Sequence, residues 1–339
     1  MVNLKTTEGV ETMAKIAEDI SDLVLEFGGS LSGEHGDGLV RSPWLEKMFG
    51  PAVYDAFRQV KQAFDPSGLM NPGKIVDPPP MTENLRIDPS YRTLDLKTGF
   101  SYGSENSFAE AVEMYNGQGA CRKLGSGTMC PSYMATRDEE HSTRGRANAL
   151  RAAISGALPV DALTGERLHQ VMDLCLECKA CKAECPTNVD MAKLKYEFLD
   201  RYHKANGYPI RSRIFANIAT LSRMGSFFAP VSNWVLRSPA FRELLERYAG
   251  IDRRRRLPPF SSQTFVQWAR AQDRTAAPTR TRGQALLFAD TFTNYNHPEV
   301  GRAATRVLEA LGYEVVVPPT RCCGRPMLSK GMMDKARRN

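Results

Sequence analysis

The apolar positions near the start of the chain follow two helical patterns. Between residues 9 and 27 they recur three and four residues apart, which predicts an amphipathic helix ended by Gly28. A second pattern between Pro51 and Phe64 predicts another helix, with the proline in its first turn. The triple proline at 78–80 predicts a stiff extended linker, so we expect a domain boundary there.

The pattern changes further along the chain. Residues 189–204 predict another amphipathic helix, and residues 206–280 predict a basic helical connector in which apolar groups alternate with arginines. Gln284–Ala289 predicts a buried strand and Tyr313–Val317 predicts the next strand, on either side of a helix at Pro298–Leu311. This order predicts a βαβ unit, so the fold class is α+β and mostly helical.

Six of the eight cysteines lie between residues 121 and 185, and four of them form the run C-x2-C-x2-C-x3-C-P: Cys175, Cys178, Cys181 and Cys185. Three thiolates on so tight a loop are typical of a 4Fe–4S cluster, and the fourth usually ligates a second cluster. Zinc is the alternative, although zinc sites more often pair two separated C-x2-C motifs. A disulfide cluster would require a secreted chain, and no signal peptide opens the sequence.

A related half-motif precedes this run. Cys121 lies in a glycine-rich loop, and Cys130 is followed by proline, as Cys185 is. Two such halves predict a two-cluster ferredoxin-type module in which ligands are exchanged. We therefore expect Cys130 to complete the cluster of the later three-cysteine loop, and Cys185 to join Cys121. The alternative for Cys130 is a buried thiol.

Five glycines within residues 28–38 surround an adjacent carboxylate and imidazole, Glu34 and His35. Glycines let the backbone approach a ligand closely, and these two side chains are a metal ligand and a proton-transfer base by type. A polar loop with a hydrogen-bonded histidine explains them equally well.

These glycines, Phe64-Asp65-Pro66 and Asn71-Pro72-Gly73-Lys74 together resemble the C-terminal end of the FAD-linked 2-hydroxy-acid dehydrogenases, the glycolate oxidase, D-lactate dehydrogenase and D-2-hydroxyglutarate dehydrogenase relatives. The resemblance covers residues 9–77. It implies that Glu34 helps to hold a divalent metal at the substrate, that His35 lies at the substrate, and that Asn71 and Lys74 lie close to the flavin. Because that family places its FAD-binding domain upstream, we expect an internal fragment that binds no FAD by itself.

The stretch from Cys130-Pro-Ser-Tyr to Ser142-Thr-Arg-Gly-Arg-Ala resembles the glycolate-oxidase iron–sulfur subunit family. That resemblance implies that its arginines lie against the clusters. The family has a cysteine where Tyr115 stands, so the second cluster is expected to be absent, partial or labile.

Cys322-Cys323-Gly324 resembles the Cys-Cys-Gly domain of heterodisulfide-reductase-like and glycolate-oxidase-like subunits. The resemblance implies a further metal or redox site, and we expect both cysteines on a loop at the carboxyl edge of the small parallel sheet. Two buried thiols are the alternative.

The expected organisation has five parts, in which an alpha-helical two-cluster domain separates the two ends: the C-terminal part of an FAD-linked oxidase domain (1–77), a linker (78–110), a 4Fe–4S ferredoxin-type domain (111–205), the basic connector (206–280) and the start of an α/β Cys-Cys-Gly domain (281–339).

The expected function is FAD- and iron–sulfur-dependent oxidation of a small 2-hydroxy acid, with electrons passed to a quinone or another carrier. The alternatives are an iron–sulfur subunit resembling those of anaerobic glycerol-3-phosphate dehydrogenase or heterodisulfide reductase, without flavin chemistry of its own, and a zinc-stabilised interaction module.

Charge and hydropathy narrow the partners. The net charge of +7 is partly local to Arg253–Arg256, and no fold or aromatic platform for nucleic acid is recognisable. No stretch approaches the roughly 20 apolar residues of a membrane span. These features predict a cytoplasmic protein. Residues 208–250 predict a packed helical connector, with peripheral contact to an anionic membrane as the alternative.

Overall fold

The structure, a computed structural model, describes residues 2–272, 282–319 and 321–339. The chain divides into two compact units, Met1–Arg92 and Thr93–Asn339. The division falls inside 78–110, the segment that the sequence predicts to be a linker.

The first unit contains the helices α1 (Thr7–Glu26), α2 (Gly38–Arg41) and α3 (Leu45–Phe64), with a 3-10 turn at Ser42–Trp44. The hydroxyl of Thr6 caps α1 by accepting a hydrogen bond from the N–H of Gly9 at 3.1 Å. Helix α3 begins before the predicted Pro51. Gly50, at φ +76°, interrupts it, so that Pro51 opens the segment beyond the kink.

The apolar faces of α1 and α3 lie open to solvent within this unit. Ile20 is 51% exposed. Phe27 and Phe64, at the ends of the two helices, are 79% and 80% exposed. The helical spacing was predicted correctly, but the described residues of this unit do not cover the apolar faces.

The core of the second unit lies among four helices: α4 (Phe108–Glu113), α6 (Thr143–Ile154), α7 (Glu166–Asp173) and α9 (Met191–Asn206). Side chains such as Leu150, Met172 and Leu194 are almost completely buried there. The short helices α5 (Pro131–Thr136) and α8 (Ala180–Glu184) carry cysteine-rich loops against this core, beside 3-10 turns at Ala120–Arg122, Glu139–His141 and Val160–Thr164.

The connector is helical, as predicted. It contains α10 (Ile210–Ala216), α11 (Ile218–Phe227), α12 (Ala229–Arg237), α13 (Pro239–Ala249) and α14 (Phe265–Ala271). Its last predicted residues, 273–280, lie outside the described residues.

A βαβ unit follows, as the pattern predicts. Strand β1 (Gln284–Leu286) pairs in parallel with β2 (Glu314–Val316), with Ala285 opposite Val315, and the helices α15 (Thr291–Tyr295) and α16 (Pro298–Ala310) lie between them in sequence. Val315 is fully buried, but Leu286 is 75% exposed. The prediction that β1 is buried was therefore wrong, because in the described residues this sheet has two strands and no layer covers Leu286.

The end of the chain packs back on α9. Helices α17 (Arg325–Leu328) and α18 (Met333–Arg338) follow the second strand. The hydroxyl of Tyr208 donates to the carbonyl of Gly331 at 3.2 Å, and Lys204 of α9 forms an ion pair with Asp334 at 2.9 Å. These contacts fix the tail against the core that carries the cysteine loops.

Candidate functional site

The loop between α7 and α8 is shaped by two residues with left-handed backbone. Glu177 (φ +56°) and Lys179 (φ +60°) alternate with Cys175, Cys178 and Cys181. Non-glycine residues rarely adopt this conformation, and it commonly marks functional loops. Here it lets a short loop present three thiols to one cavity.

Cys130, 45 residues earlier in the chain, completes the lining of this cavity. The interior of the cavity is about 20 Å³, and the empty space is about 330 Å³ when the open solvent at its mouth is included. The four thiols stand around the space and do not converge on a point. Among the residues that the structure describes, no three His, Cys, Asp or Glu side chains are close enough to hold a single metal ion. The structure places the four cysteines that the sequence grouped around one cavity, without the convergence of their side chains that a single metal ion would need.

The Cys130 side of the cavity contains a fully buried cation. The guanidinium of Arg146 has one nitrogen, Nη1, 3.7 Å from the Sγ of Cys130, and donates from Nη2 to the hydroxyl of Ser132 at 3.0 Å and from Nε to the carbonyl of Val171 at 3.0 Å. Burial alone would raise the pKa of the Cys130 thiol, but the contact with Ser132 and the charge of Arg146 outweigh it and lower the pKa.

The thiols on the loop have the opposite shift. Burial raises the pKa of Cys175, against the charges of Lys195 and Arg146, and raises the pKa of Cys181 to about 11. Thiolates, not thiols, ligate metals, so a bound group must displace these protons. Four cysteines around one partly open cavity, with cations to balance thiolate charge, are a donor set whose residue types fit a 4Fe–4S cluster.

Glu184 connects the two cysteine segments, and sequence analysis missed it. Its carboxylate accepts hydrogen bonds from the backbone N–H of Thr128 at 2.8 Å and of Met129 at 3.3 Å, and pairs with Lys123 at 3.0 Å. The contact with Thr128, backed by the other two, lowers the pKa of Glu184 to about 2. The residue before Cys130 is thereby tied to the residue before Cys185. A glutamate beside a ligand run carries no sequence signal for such a long-range bond.

The residues expected at the second cluster lie outside this cavity. Cys121 is buried in the core, and its Sγ accepts a hydrogen bond from the backbone N–H of Arg144 at 3.3 Å. Cys185 is half-buried, with its Sγ 3.4 Å from the Thr187 hydroxyl, and Tyr115 is buried in the same core.

The expectation that the arginines lie against the clusters holds only in part. Arg146 lies at the cavity, whereas the side chain of Arg144 pairs with Glu139 at 2.8 Å. Arg137 is exposed, because it ends α5 in a left-handed conformation at φ +61°. The expectation was wrong for Arg137.

Glu34 and His35 lie on an exposed loop of the first unit. The Oε2 of Glu34 is 3.5 Å from the Nε2 of His35, and both side chains are largely open to solvent. The described residues of this unit form no cleft around them, whereas residues at a substrate would be expected to face one. Lys74 donates to the side chain of Asn71 at 3.2 Å, in a turn where Asn71 has φ +46°.

The last two cysteines lie on the loop that follows β2. Cys322 is half-buried and Cys323 is exposed. This is the placement predicted for them, and it argues against two thiols buried in a core. Thr320 lies outside the described residues.

Three family models match the chain in sequence order. Residues 1–75 match the C-terminal domain of FAD linked oxidases, residues 116–190 match a 4Fe-4S dicluster domain, and residues 290–339 match a cysteine-rich domain.

Curated relatives share this order over most of the chain. D-2-hydroxyglutarate dehydrogenase from Pseudomonas putida is 28% identical over 94% of this chain and 35% of its own length, and the Escherichia coli protein of the same name is 27% identical over 95% and 36%. The chain thus spans about a third of the length of these relatives. A subunit of anaerobic glycerol-3-phosphate dehydrogenase from Escherichia coli is 33% identical over 38% of this chain and 32% of its own length. No solved structure matches significantly. The chain therefore combines an FAD-linked oxidase C-terminal domain, a 4Fe–4S dicluster domain and a cysteine-rich domain, in that order.

Proposed function

We propose that this chain is part of an FAD-dependent 2-hydroxy-acid dehydrogenase whose electrons leave through an iron–sulfur cluster held by Cys130, Cys175, Cys178 and Cys181. The observation that carries the proposal is the single cavity lined by these four thiols from two separated segments. The domain order and the named dehydrogenases support it.

The residues around the cavity have different roles towards a bound cluster. A bound 4Fe–4S cluster would carry one electron at a time. A reduced flavin holds two electrons, so such a cluster allows it to pass them singly to a one-electron acceptor. The four cysteines hold the cluster as thiolates. Arg146 stabilises its negative charge from a position without solvent, and Met129 and Met191 exclude water.

For the hydroxy-acid site we propose that Glu34 binds a divalent metal and that His35 accepts the substrate's hydroxyl proton. The Glu34 carboxylate is largely open to solvent, with its Oε2 3.5 Å from the Nε2 of His35, and this exposure supports its role as an available metal ligand. In the full-length protein, Glu34→Gln is expected to lose the metal and abolish turnover while the flavin remains bound. Glu26→Gln, which removes an exposed carboxylate from the end of α1, is the control. Full turnover in Glu34→Gln would overturn this assignment.

For the substrate we propose D-2-hydroxyglutarate, because that is the activity named for the dehydrogenases that cover 94% or more of the chain. The full-length protein should show a higher kcat/KM with D-2-hydroxyglutarate than with D-lactate or glycolate. A preference for either shorter acid would contradict the choice. An electron-transfer subunit without its own flavin is the second candidate, favoured by the 33% identity to the glycerol-3-phosphate dehydrogenase subunit. A full-length protein without flavin would support it.

For the electron acceptor we propose a quinone reached by contact with an anionic membrane surface. No described helix is long and apolar enough to span a membrane. Helices α11 and α12 turn small residues such as Ser222, Gly225 and Ala229 inward. Large apolar side chains on the same helices are exposed: Leu221, Met224, Phe227, Phe228, Val231 and Trp234. No acidic residue occurs between Asp200 and Glu243, a composition that suits anionic lipid.

Sedimentation with vesicles tests this contact. The chain should bind vesicles that contain phosphatidylglycerol more strongly than pure phosphatidylcholine vesicles, and less strongly in high salt. The double variant Phe227→Ser/Trp234→Ser should lose binding, whereas Phe27→Ser/Phe64→Ser, which removes two equally exposed rings from the first unit, should not. Equal binding of the two variants would contradict the assignment to α11 and α12.

A further inference from the structure

Lys195 lies almost completely buried under the cysteine loop. It belongs to α9 and is only 5% exposed. Its ammonium donates to the carbonyl of Cys175 at 2.8 Å and to the carbonyl of Asp173 at 3.1 Å. A buried ammonium is costly unless it is paired and hydrogen-bonded, so this lysine is held by partners on the loop itself.

Glu177 is the charged partner. Its Oε1 lies 3.5 Å from the Nζ of Lys195, and the two side chains are 7% and 6% exposed. Glu177 is the left-handed residue between Cys175 and Cys178, and it also lines the cavity. The charges of Lys330 and Arg325, in the cysteine-rich domain, also favour the ionised form of this carboxylate. One carboxylate between two cysteines thus meets cations from α9 and from the tail.

We infer that Lys195 and Glu177 are positioning residues for the cluster, which fix the three-cysteine loop from inside and set the reduction potential of the bound group with opposite signs. This inference rests on the proposed cluster in the cavity. Lys195 clamps the carbonyls at the entry of the loop, so that Cys175 is presented to the cavity. Its positive charge favours the reduced, more negative cluster, and the negative charge of Glu177 disfavours it.

Two buried cations then flank the cavity from different helices. Arg146 reaches Cys130 from α6, and Lys195 reaches Cys175 from α9. Arg146 thus contacts the segment with Cys130, and Lys195 contacts the loop with the other three cysteines. The family resemblance predicted arginines beside the clusters but did not predict a role for Lys195. The sequence pattern predicts that a lysine in an amphipathic helix lies on the surface, whereas in this fold Lys195 is buried.

The test uses the full 339-residue chain, reconstituted anaerobically with iron and sulfide. Iron and sulfide content and the midpoint potential, followed by electron paramagnetic resonance, are measured for Lys195→Met, Glu177→Gln and wild type. Lys195→Met should shift the potential to more negative values and lower the bound iron. Glu177→Gln should shift the potential to more positive values and retain the iron. Lys97→Met removes an equal charge from an exposed side chain and should change neither quantity.

The outcomes separate this inference from the proposed function. If wild type assembles no iron–sulfur cluster, the proposed function fails. If wild type assembles the cluster but both variants keep its iron and its potential, the cluster stands and the inference is overturned. Shifts of the same sign in both variants would indicate a general loosening of the loop and would also overturn it.

Discussion

We expect Tyr115 and Gln118 to limit the number of clusters that the ferredoxin-type domain can hold. When the two halves are aligned so that Cys121 falls on Cys181, Tyr115 falls on Cys175 and Gln118 on Cys178. The first half therefore keeps one of its three loop cysteines. Sequence analysis found Tyr115 through a family resemblance, but the internal repeat alone would have shown both departures. A phenol and an amide are poor ligands for an iron–sulfur cubane.

We predict that restoring both cysteines restores the second cluster. The double variant Tyr115→Cys/Gln118→Cys should raise the iron content from about four to about eight per chain, because Cys121 and Cys185 then gain two thiolate partners. Tyr115→Cys alone leaves three thiolates and should give less. Iron and sulfide analysis after anaerobic reconstitution measures both. A native count near eight would show that other residues already complete the second site.

The loop that carries Asn71 and Lys74 is held by the buried Asp65. Its carboxylate accepts hydrogen bonds from the N–H groups of Leu69 and Met70, both at 2.9 Å, and from Lys61 at 2.5 Å. The bond from Lys61 and the two backbone bonds outweigh burial and lower the pKa of Asp65. The stabilisation is therefore complete above the ordinary aspartate pKa and is lost as the pH falls through the lowered value.

Asp65→Asn should accordingly lower the free energy of unfolding of the first unit at neutral pH. The difference from wild type should shrink as the pH falls below about 4, because the wild-type carboxyl then becomes protonated as well. Urea unfolding of both proteins at a series of pH values measures it, with the exposed Asp55→Asn as control. A difference that stays constant down to strongly acid pH would contradict the role of the charge.

At the scale of elements, periodicity predicted the helices well, and burial poorly. α1, α9, α16 and the βαβ order appear where the spacing placed them. The exposed face of α1 and the exposed β1 could not be predicted, because spacing identifies an apolar face but not what covers it. The cavity was predictable for a different reason: ligand spacing in cysteine loops reflects the bound group itself. Glu184 and Lys195 were missed because their partners lie far away in sequence or are backbone atoms.

Gly331 is where the tail helices meet α9. It has φ +66°, and a Cβ there would lie 2.5 Å from the backbone carbon of Leu199. Gly331→Ala should lower the free energy of unfolding by more than the ~1–2 kcal/mol of a left-handed alanine. Gly250→Ala, at φ +62° with no atom within 4 Å, incurs only the conformational cost and is the matched control. Urea unfolding compares the two, and equal losses would mean that the tail does not pack on α9.

At the scale of the whole molecule, the two units carry different parts of one proposed electron path. The first unit has the exposed loop with Glu34 and His35, for which we propose the hydroxy-acid site, and open apolar faces on α1 and α3. The second unit has the cysteine cavity and, packed on its core, the tail with Cys322 and Cys323. The proposed electron path passes through the cysteine cavity, so the proposals depend on a cluster being bound there.

The most direct test is therefore the metal content of the chain after anaerobic reconstitution. The account predicts about four irons and four sulfides per chain. Cys130→Ala should lose the cluster or leave a three-iron form, whereas Cys185→Ala should retain about four irons, because Cys185 lies outside the cavity. Zinc without sulfide, or a Cys130→Ala variant with an unchanged cluster, would contradict the account.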